Sequence, residues 1–305
     1  MNTKLIEAYK ARGAEIVRDP GFPSVFSEVT LNLGNTNSEI REGCLDVLWA
    51  LVESGALSDS TMIETGDRMR EHLVRGLGER DTDSVFLRTF SALILGLIVS
   101  EDEIRRRKRA DGREPLLSAE QFHGWYEGAK QYVLGERDVR GYVGGKGWAH
   151  SIAHGADLLR DFAYHRFTAA ADHTDILRIL SARLTGNTEE MFLYNEDHRL
   201  ARVAVTILLR GELSPAGYGQ WLDDLPARFG GRPWIEFAAG DRGKAVAWSN
   251  TLAFLRALYF VLHIGMKNLK DTEFYGKTPG WNEEVKELVL KALIKMDGGL
   301  NYRGR

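Results

Sequence analysis

Apolar side chains recur at three- and four-residue intervals along most of the chain, a pattern typical of amphipathic α-helices. Within residues 38–52, for example, apolar side chains fall at positions 40, 44, 47, 48 and 51. Alternating runs typical of β-strands are nearly absent. The same reasoning predicts further helices over 60–76, 84–109, 118–134, 147–167, 174–185, 194–211, 214–229, 243–264 and 282–295.

The segments between these helices are short and carry Gly, Asn, Asp or Pro. Short connections make consecutive helices antiparallel. The predicted fold is therefore all-α, with stacked antiparallel helix pairs forming either an α-solenoid of the HEAT or armadillo type or a closed helical array. No composition shift marks a linker, so residues 1–305 are predicted to form a single all-helical domain. The glycine-rich stretch 140–147 is the candidate hinge.

The composition excludes several classes of protein. With 44% hydrophobic residues the chain can bury a core, and 40 basic against 43 acidic residues give a net charge of -3, so no basic footprint predicts a nucleic-acid partner. The single cysteine, Cys44, excludes an intrachain disulfide and is predicted to be a small buried residue. No apolar stretch is long enough to predict a signal peptide or membrane span, so a cytoplasmic location is expected.

The chemistry concentrates in one predicted helix near the middle of the chain. His150, His154 and Asp157, close behind Trp148, are spaced four and then three residues apart and would share one face of a helix. Two imidazoles and a carboxylate at this spacing could hold a divalent metal ion, although the glutamate of the zinc-protease motif is missing. The same residues could instead bind an organic ligand, or only hydrogen-bond neighbouring helices.

A second set of polar residues interrupts two later helices and could line the same concave surface. Acidic residues in a first turn also stabilise the helix dipole, which gives part of the set an ordinary structural explanation. The set consists of Glu196, Asp197, Arg199, Asn250, Arg256 and Tyr259. Two functions stay open: a binding module that holds a small molecule or peptide in a groove, and an enzyme, such as a metal-assisted hydrolase, that uses the same groove.

Two other segments have a weaker signal. Residues 137–148 are rich in glycine, but no Gly-Lys-Ser/Thr sequence ends the stretch and no strand precedes it, so it is not a phosphate-binding P-loop. Residues 101–109 are acidic and then basic, which predicts a solvated helix end with ion pairs along it.

Several of these segments together resemble a known protein family. They are Arg137 to Tyr142, Lys146 to His150, Ala153 to Asp157, Glu196 to Arg199 and Phe254 to Tyr259. This combination, in which Gly-Trp-Ala-His-x-x-x-His is the distinctive element, is similar to the bacterial family catalogued as domain of unknown function 2785. The resemblance covers roughly residues 35–265. It implies a bacterial cytosolic protein with a HEAT-like helical fold, and it implies no activity.

Overall fold

Most of the described residues lie in α-helices, and a small hairpin precedes the seventh helix. A computed structural model describes residues 2–108, 112–186, 188–230, 240–267 and 271–296. The α-helices in these ranges are α1 (Thr3–Arg12), α2 (Phe22–Leu31), α3 (Ser38–Glu53), α4 (Asp59–His72), α5 (Ser84–Lys108), α6 (Ala119–Gly135), α7 (Ser151–Tyr164), α8 (Ala170–Thr185), α9 (Glu196–Arg210), α10 (Pro215–Ala227), α11 (Arg242–Ile264), α12 (Thr272–Tyr275) and α13 (Asn282–Met296). Short 3-10 helices cover Gly13–Arg18 and Asn32–Gly34, and strands β1 (Tyr142–Val143) and β2 (Gly147–Trp148) pair antiparallel.

The all-α class is confirmed, and so is each helix predicted from the periodicity, with shifted ends. The sequence pattern missed α1, α2, α12 and the two-stranded hairpin. Side-chain caps explain several helix starts: Asn37 accepts from the N–H groups of Glu39 and Ile40, and Ser118 forms a capping box with Gln121.

By its internal packing the chain divides into two compact units, Met1–Phe167 and Thr168–Arg305. The first unit contains α1 to α7 and the hairpin, and the second contains α8 to α13. The interpretation of residues 1–305 as a single folding domain stays a prediction.

Helix α5 is the core of the first unit. Helices two apart in the chain pack on each other, since α1 contacts α3, α3 contacts α5, and α5 contacts α7. The α5–α7 approach depends on Gly96, because a Cβ there would lie 2.8 Å from Asp161 Oδ2 and 3.4 Å from the Cα of Leu158. Replacement of Gly96 by a larger residue would therefore push α7 away from α5.

In the second unit α11 takes the central place. It packs on α8, α9 and α13, and α10 closes on α13. Buried polar side chains are hydrogen-bonded there: the Tyr218 hydroxyl donates to the carbonyl of Ala204, and Trp221 Nε1 donates to Ser181 Oγ at 2.8 Å. The unit thus has its own apolar core, and these polar groups inside it are hydrogen-bonded.

Two of the helices, α5 and α11, are long and apolar enough to cross a membrane by length and composition only. Within the fold, 78% of the apolar window of α5 and 67% of that of α11 are buried, which is typical of core helices. Cys44 is also buried, as predicted, and burial raises the pKa of its thiol to about 12.

Candidate functional site

The residues before α7 form a hairpin and a sharp turn, not the first turn of a helix. Gly147 has a φ of +78°, Trp148 pairs with Tyr142, and His150 has a φ of 56°. The N–H groups of Ala149 and His150 donate to the carbonyl of Gly141 at 2.9 and 3.2 Å. The predicted helix over 147–167 was therefore wrong at its start, and α7 begins at Ser151 because the preceding backbone is bonded to the hairpin.

The hairpin is held firmly to the first unit, although its glycines predicted a hinge. Arg41 of α3 donates to the carbonyls of Lys146 at 2.6 Å and Trp148 at 3.3 Å. Lys146 Nζ in turn lies 2.7 Å from Asp83 Oδ1. These bonds reach the hairpin from two different parts of the unit, so they fix the position of Trp148 and His150.

Arg41 is unusual because its guanidinium is fully buried and bonded to carbonyls. It donates to the carbonyl of Asn35 as well as those of the hairpin, and its carbon Cζ lies 4.1 Å from the ring centre of Phe86 and 4.8 Å from that of Phe90. Burial lowers its pKa. The planar group therefore acts as a spacer that fills the gap between two aromatic rings and the hairpin backbone.

His150 and His154 are brought together, but not as one helix face. The left-handed turn at His150 places its ring centre 5.5 Å from that of His154, at an angle of 56°. Asp157, one turn further along α7, has its Oδ1 2.9 Å from Arg160 Nη1. Arg160 also donates to Asp161 at 2.8 and 3.0 Å, so one guanidinium is shared by two carboxylates that are each 6% exposed.

The metal site predicted from His150, His154 and Asp157 is not formed. Within the described ranges, no group of three or more His, Cys, Asp or Glu side chains could hold a metal ion. His150 precedes the first residue of α7, so it does not share a helix face with His154 and Asp157. In addition, Asp157 is bonded to Arg160. The described geometry therefore gives no support to a divalent metal at this place, which stays a prediction.

Aromatic rings connect the hairpin surface to the core in one continuous column. Tyr142 lies edge-on to Trp148 at 5.1 Å, Trp148 stacks on His150 at 5.0 Å and 25°, and His154 meets Phe90 edge-on at 5.4 Å. We call Tyr142, Trp148, His150, His154 and Phe90 the ring column. Exposure falls along it, from 53% at Tyr142 to 2% at Phe90.

The second predicted set lies in the second unit, where two of its members have structural roles. Asn250 accepts from the N–H of Phe192 at 2.9 Å and donates to the carbonyl of Glu190 at 3.0 Å, so it fixes the segment before α9. Glu196, which is 3% exposed, accepts from the N–H of Tyr194 at 2.7 Å. Of the others, Tyr259 stacks on His263, Asp197 and Arg199 are half-buried in the first turn of α9, and Arg256 is exposed on α11.

Trp148, His150, His154 and Asp157 belong to the first unit, and the six later residues belong to the second. A groove shared by both sets stays a prediction. In the first unit, the sequence reasoning missed Arg41, Tyr142, Phe90, Arg160 and Asp161. Only the last two could have been found from spacing, because they continue the polar positions of α7 by three and four residues beyond Asp157.

A buried ionic network was also missed, because residues 101–109 predicted a solvated helix end. Glu101, Asp102, Glu103 and Arg105 are all at most 8% exposed. Asp102 Oδ2 lies 2.7 Å from His165 Nε2 and 2.5 Å from Arg166 Nη1. Although burial favours the neutral acid, hydrogen bonds from His165, the Leu117 N–H and Arg166 lower the pKa of Asp102.

The Asp102–His165 pair resembles a catalytic dyad, but its bonding indicates a structural role. His165 Nδ1 accepts from the N–H of Phe167 at 3.2 Å, so Nε2 carries the proton and donates to Asp102. The ring is fully buried and stacks on Phe122 at 4.3 Å. Burial lowers the pKa of His165. Both ring nitrogens are used within the fold, and neither can act on a substrate.

The left-handed backbone at His150 gives a testable prediction. Only glycine adopts this conformation without strain, so His150→Gly is expected to be more stable than His150→Ala by about 1 kcal/mol. At His154, within α7, the order should reverse, because glycine in a helix interior costs about 1 kcal/mol relative to alanine. Urea unfolding of the four variants measures both differences. Equal stabilities of the two His150 variants would contradict the strained turn.

The fold and the ring column place this chain in the class of all-α proteins with packed helices. Its first unit holds a hairpin and a column of aromatic and imidazole rings against its core. The family follows from comparison with known proteins. The chain belongs to the family described as "Protein of unknown function (DUF2785)", whose model matches residues 73–260. No curated protein and no solved structure matches the chain. The family match includes α5 to α10 and most of α11, and with them the ring column.

Proposed function

We propose that this protein is a ligand-binding protein whose first unit holds a small molecule with a planar ring against Trp148 and His150. The observation that carries the proposal is the ring column. Its half-buried members, Trp148 and His150, stack on each other, and His154 contacts the His150 ring from the core side. The two rings therefore form a rigid platform for a flat ligand. A platform held by Arg41 and the hairpin loses little entropy on binding.

The strained backbone at His150 supports the same proposal. A histidine in the left-handed region costs of order 1 kcal/mol relative to glycine, and such strain is concentrated at functional sites. Glycine would fit the turn with less strain, but the imidazole supplies a ring and two nitrogens that glycine lacks. His150 can stack and hydrogen-bond, which are the two interactions that orient a planar heterocycle.

The alternative, a hydrolase, is favoured less by the geometry. A general base needs a carboxylate or imidazole that can take up a proton. Asp157 and Asp161 share the Arg160 guanidinium, so oxygens of both carboxylates are occupied by hydrogen bonds within the fold. The arrangement is therefore better suited to recognition than to proton transfer.

The proposal also includes the architecture of the protein and its location in the cell. Helices two apart pack on each other in the first unit, from α1 to α7, as they do in HEAT-like repeats, and we include a HEAT-like architecture in the proposal. A cytoplasmic location follows from the composition and stays part of it.

A panel of planar ring compounds tests the function. Thermal unfolding is measured with each of a set of purine and pyrimidine bases, pteridines, nicotinamide and indole derivatives. A compound at ten times its Kd should stabilise the folded protein by about 1.4 kcal/mol, which raises the Tm by a few degrees.

The control variants separate binding from general effects. His150→Gly removes the stacked ring without straining the turn, and it should abolish the shift. His123→Ala changes an exposed histidine of α6 and should retain it. If no compound raises the Tm of the wild type, or if His150→Gly keeps the full shift, the proposed site is wrong.

A further inference from the structure

Arg41 differs from the other buried arginines of the described residues because it has no carboxylate partner. Arg88 is bonded to Glu136, and Arg105 is bonded to Asp59. The hydrogen bonds of Arg41 all end on main-chain carbonyls, and its Nε has no acceptor within the described ranges. A buried charge is normally paired with one of opposite sign. The first unit therefore holds a buried positive charge that no carboxylate compensates.

The described surroundings of Arg41 do not supply a compensating charge from further away. Glu42, its neighbour in the chain, is the acid that acts on the pKa of Arg41, but its side chain is exposed to water. Residues 139–156, which include the hairpin and the first turn of α7, contain Arg140 and Lys146 and neither Asp nor Glu. Both of these cations have carboxylate partners of their own. The charge of Arg41 is thus in excess in this region.

The uncompensated charge lies directly behind the rings of the proposed platform. Arg41 Nη2 is 3.3 Å from the carbonyl oxygen of Trp148, and Cζ is 4.8 Å from the ring centre of Phe90. Trp148 and Phe90 both belong to the ring column, so the guanidinium contacts the column at two points. Because protein atoms surround the fully buried Arg41, water screens its field only weakly on this side.

The N-terminus of α7 adds positive potential at the same place. Helix α7 begins directly after His150, and no side chain caps it. Among the described residues, the N–H groups of Ser151, Ile152 and Ala153 have no acceptor. Such N–H groups give a helix start roughly half a positive elementary charge. Two independent features, a buried guanidinium and an uncapped helix start, therefore favour negative charge beside His150.

The carboxylates of α7 lie too far along the helix to cancel this potential. Asp157 and Asp161 follow Ser151 by about 9 and 15 Å along the helix axis. Both are bonded to Arg160, which offsets part of their charge. Arg41, by contrast, is bonded to the backbone of the platform itself.

We propose, on the basis of the proposed function, that the ligand of the platform is a planar ring compound with a negative charge, such as an aromatic carboxylate. Its ring stacks on Trp148 and His150, and its charge compensates that of Arg41. At about 10 Å and an effective dielectric constant of about 20, this attraction favours an anion roughly tenfold over a neutral compound of the same shape.

Matched pairs of ring compounds test the charge separately from the ring. Isothermal titration calorimetry on the full chain measures the Kd of nicotinate and nicotinamide, of indole-3-acetate and indole-3-acetamide, and of orotate and its amide. Within each pair the ring is the same, and the acid should bind roughly tenfold more tightly. Equal affinities, or tighter binding of the amides, would overturn the inference and leave the platform intact. If no member of any pair binds, both the platform and its preference for anions are wrong.

Two substitutions of Arg41 test the source of the preference. Arg41→Lys keeps the positive charge and Arg41→Met removes it, while both lose the guanidinium bonds to the hairpin. The ratio of amide Kd to acid Kd should stay near tenfold in Arg41→Lys and fall below about threefold in Arg41→Met. A purely structural role of Arg41 would weaken both members of a pair alike and leave the ratio unchanged.

Arg137→Met is the matched control, because it removes an exposed arginine four residues before the hairpin glycine Gly141. Water screens this charge, so the ratio should remain as in the wild type. Circular dichroism establishes which variants are folded. An unchanged ratio in folded Arg41→Met would refute the role of its charge. If Arg41→Met does not fold, the ratio in the wild type and in Arg41→Lys decides the question.

Discussion

Arg88→Met is expected to lower the free energy of unfolding by about 3–5 kcal/mol. Arg88 and Glu136 form a bidentate ion pair, with distances of 2.5 and 3.0 Å, and their side chains are 0% and 3% exposed. Arg88 also donates to the carbonyls of Arg75 and Gly76 at 2.9 Å. Removal of the guanidinium leaves a buried carboxylate and two carbonyls without that donor. Urea unfolding by circular dichroism measures the loss.

The pair Arg12–Asp19 is a matched control. It has the same bidentate geometry, at 2.6 and 2.8 Å, but both side chains are more than 40% exposed. Arg12→Met should leave the unfolding midpoint nearly unchanged, since water replaces the lost partner. The double variant Arg88→Met with Glu136→Leu should recover part of the stability, because no isolated charge remains buried. A loss below about 1 kcal/mol in Arg88→Met would contradict the account of this pair.

The second large effect is a loss of stability at mildly acidic pH that depends on His72. This side chain is fully buried between α4 and α5, and its Nδ1 lies 3.1 Å from Ser91 Oγ. Burial, with smaller contributions from Arg75 and Arg68, lowers its pKa from 6.5 to about 4. The folded protein therefore keeps this imidazole neutral in a range where the unfolded chain binds a proton.

The sign of the effect follows from proton linkage. Above pH 6.5 both states are neutral at His72 and the contribution is zero. Between pH 6.5 and about 4 only the unfolded state gains the proton, so unfolding becomes more favourable as the pH falls. At pH 4.5 the loss should reach about 2–3 kcal/mol relative to pH 7.5.

His72→Asn removes the titrating group and keeps an acceptor near Ser91. The variant should lose about 2–3 kcal/mol less than the wild type between pH 7.5 and 4.5, measured by urea unfolding at both values. His165 is buried as well and its pKa is also lowered, but it is present in both proteins and cancels in the comparison. His123→Asn, at an exposed position, should behave as the wild type does. Identical pH dependence of His72→Asn and the wild type would refute the assignment.

The N-terminal helix α1 shows where the prediction of helices from hydrophobic periodicity fails. Helices α3 to α11 and α13 were all predicted, because each one buries apolar residues at the helical period against its own unit. Helix α1 was missed since Ile6 is its single buried residue, which leaves no stripe to detect. The family resemblance based on the Gly-Trp-Ala-His motif was also correct.

The sequence grouped Trp148, His150 and His154, and their rings do lie close together in the structure, but their geometry was not predicted. That they form a functional site stays a prediction. Their arrangement depends on φ angles at Gly147 and His150 and on bonds from Arg41, which lies more than a hundred residues earlier in the chain. No spacing rule within residues 147–157 contains that information.

What the sequence by itself determined, then, is the helical class, most helix positions and the family, because these follow from local periodicity and motif identity. Only the tertiary structure decided which polar residues are buried and what they contact. Asp102 and Glu103 are charged residues, and they are buried because His165 and Arg166 bond to them from about 60 positions further along the chain. The physical reason is the same for the ring column: burial and charge pairing are set by non-local contacts, which a one-dimensional pattern does not record.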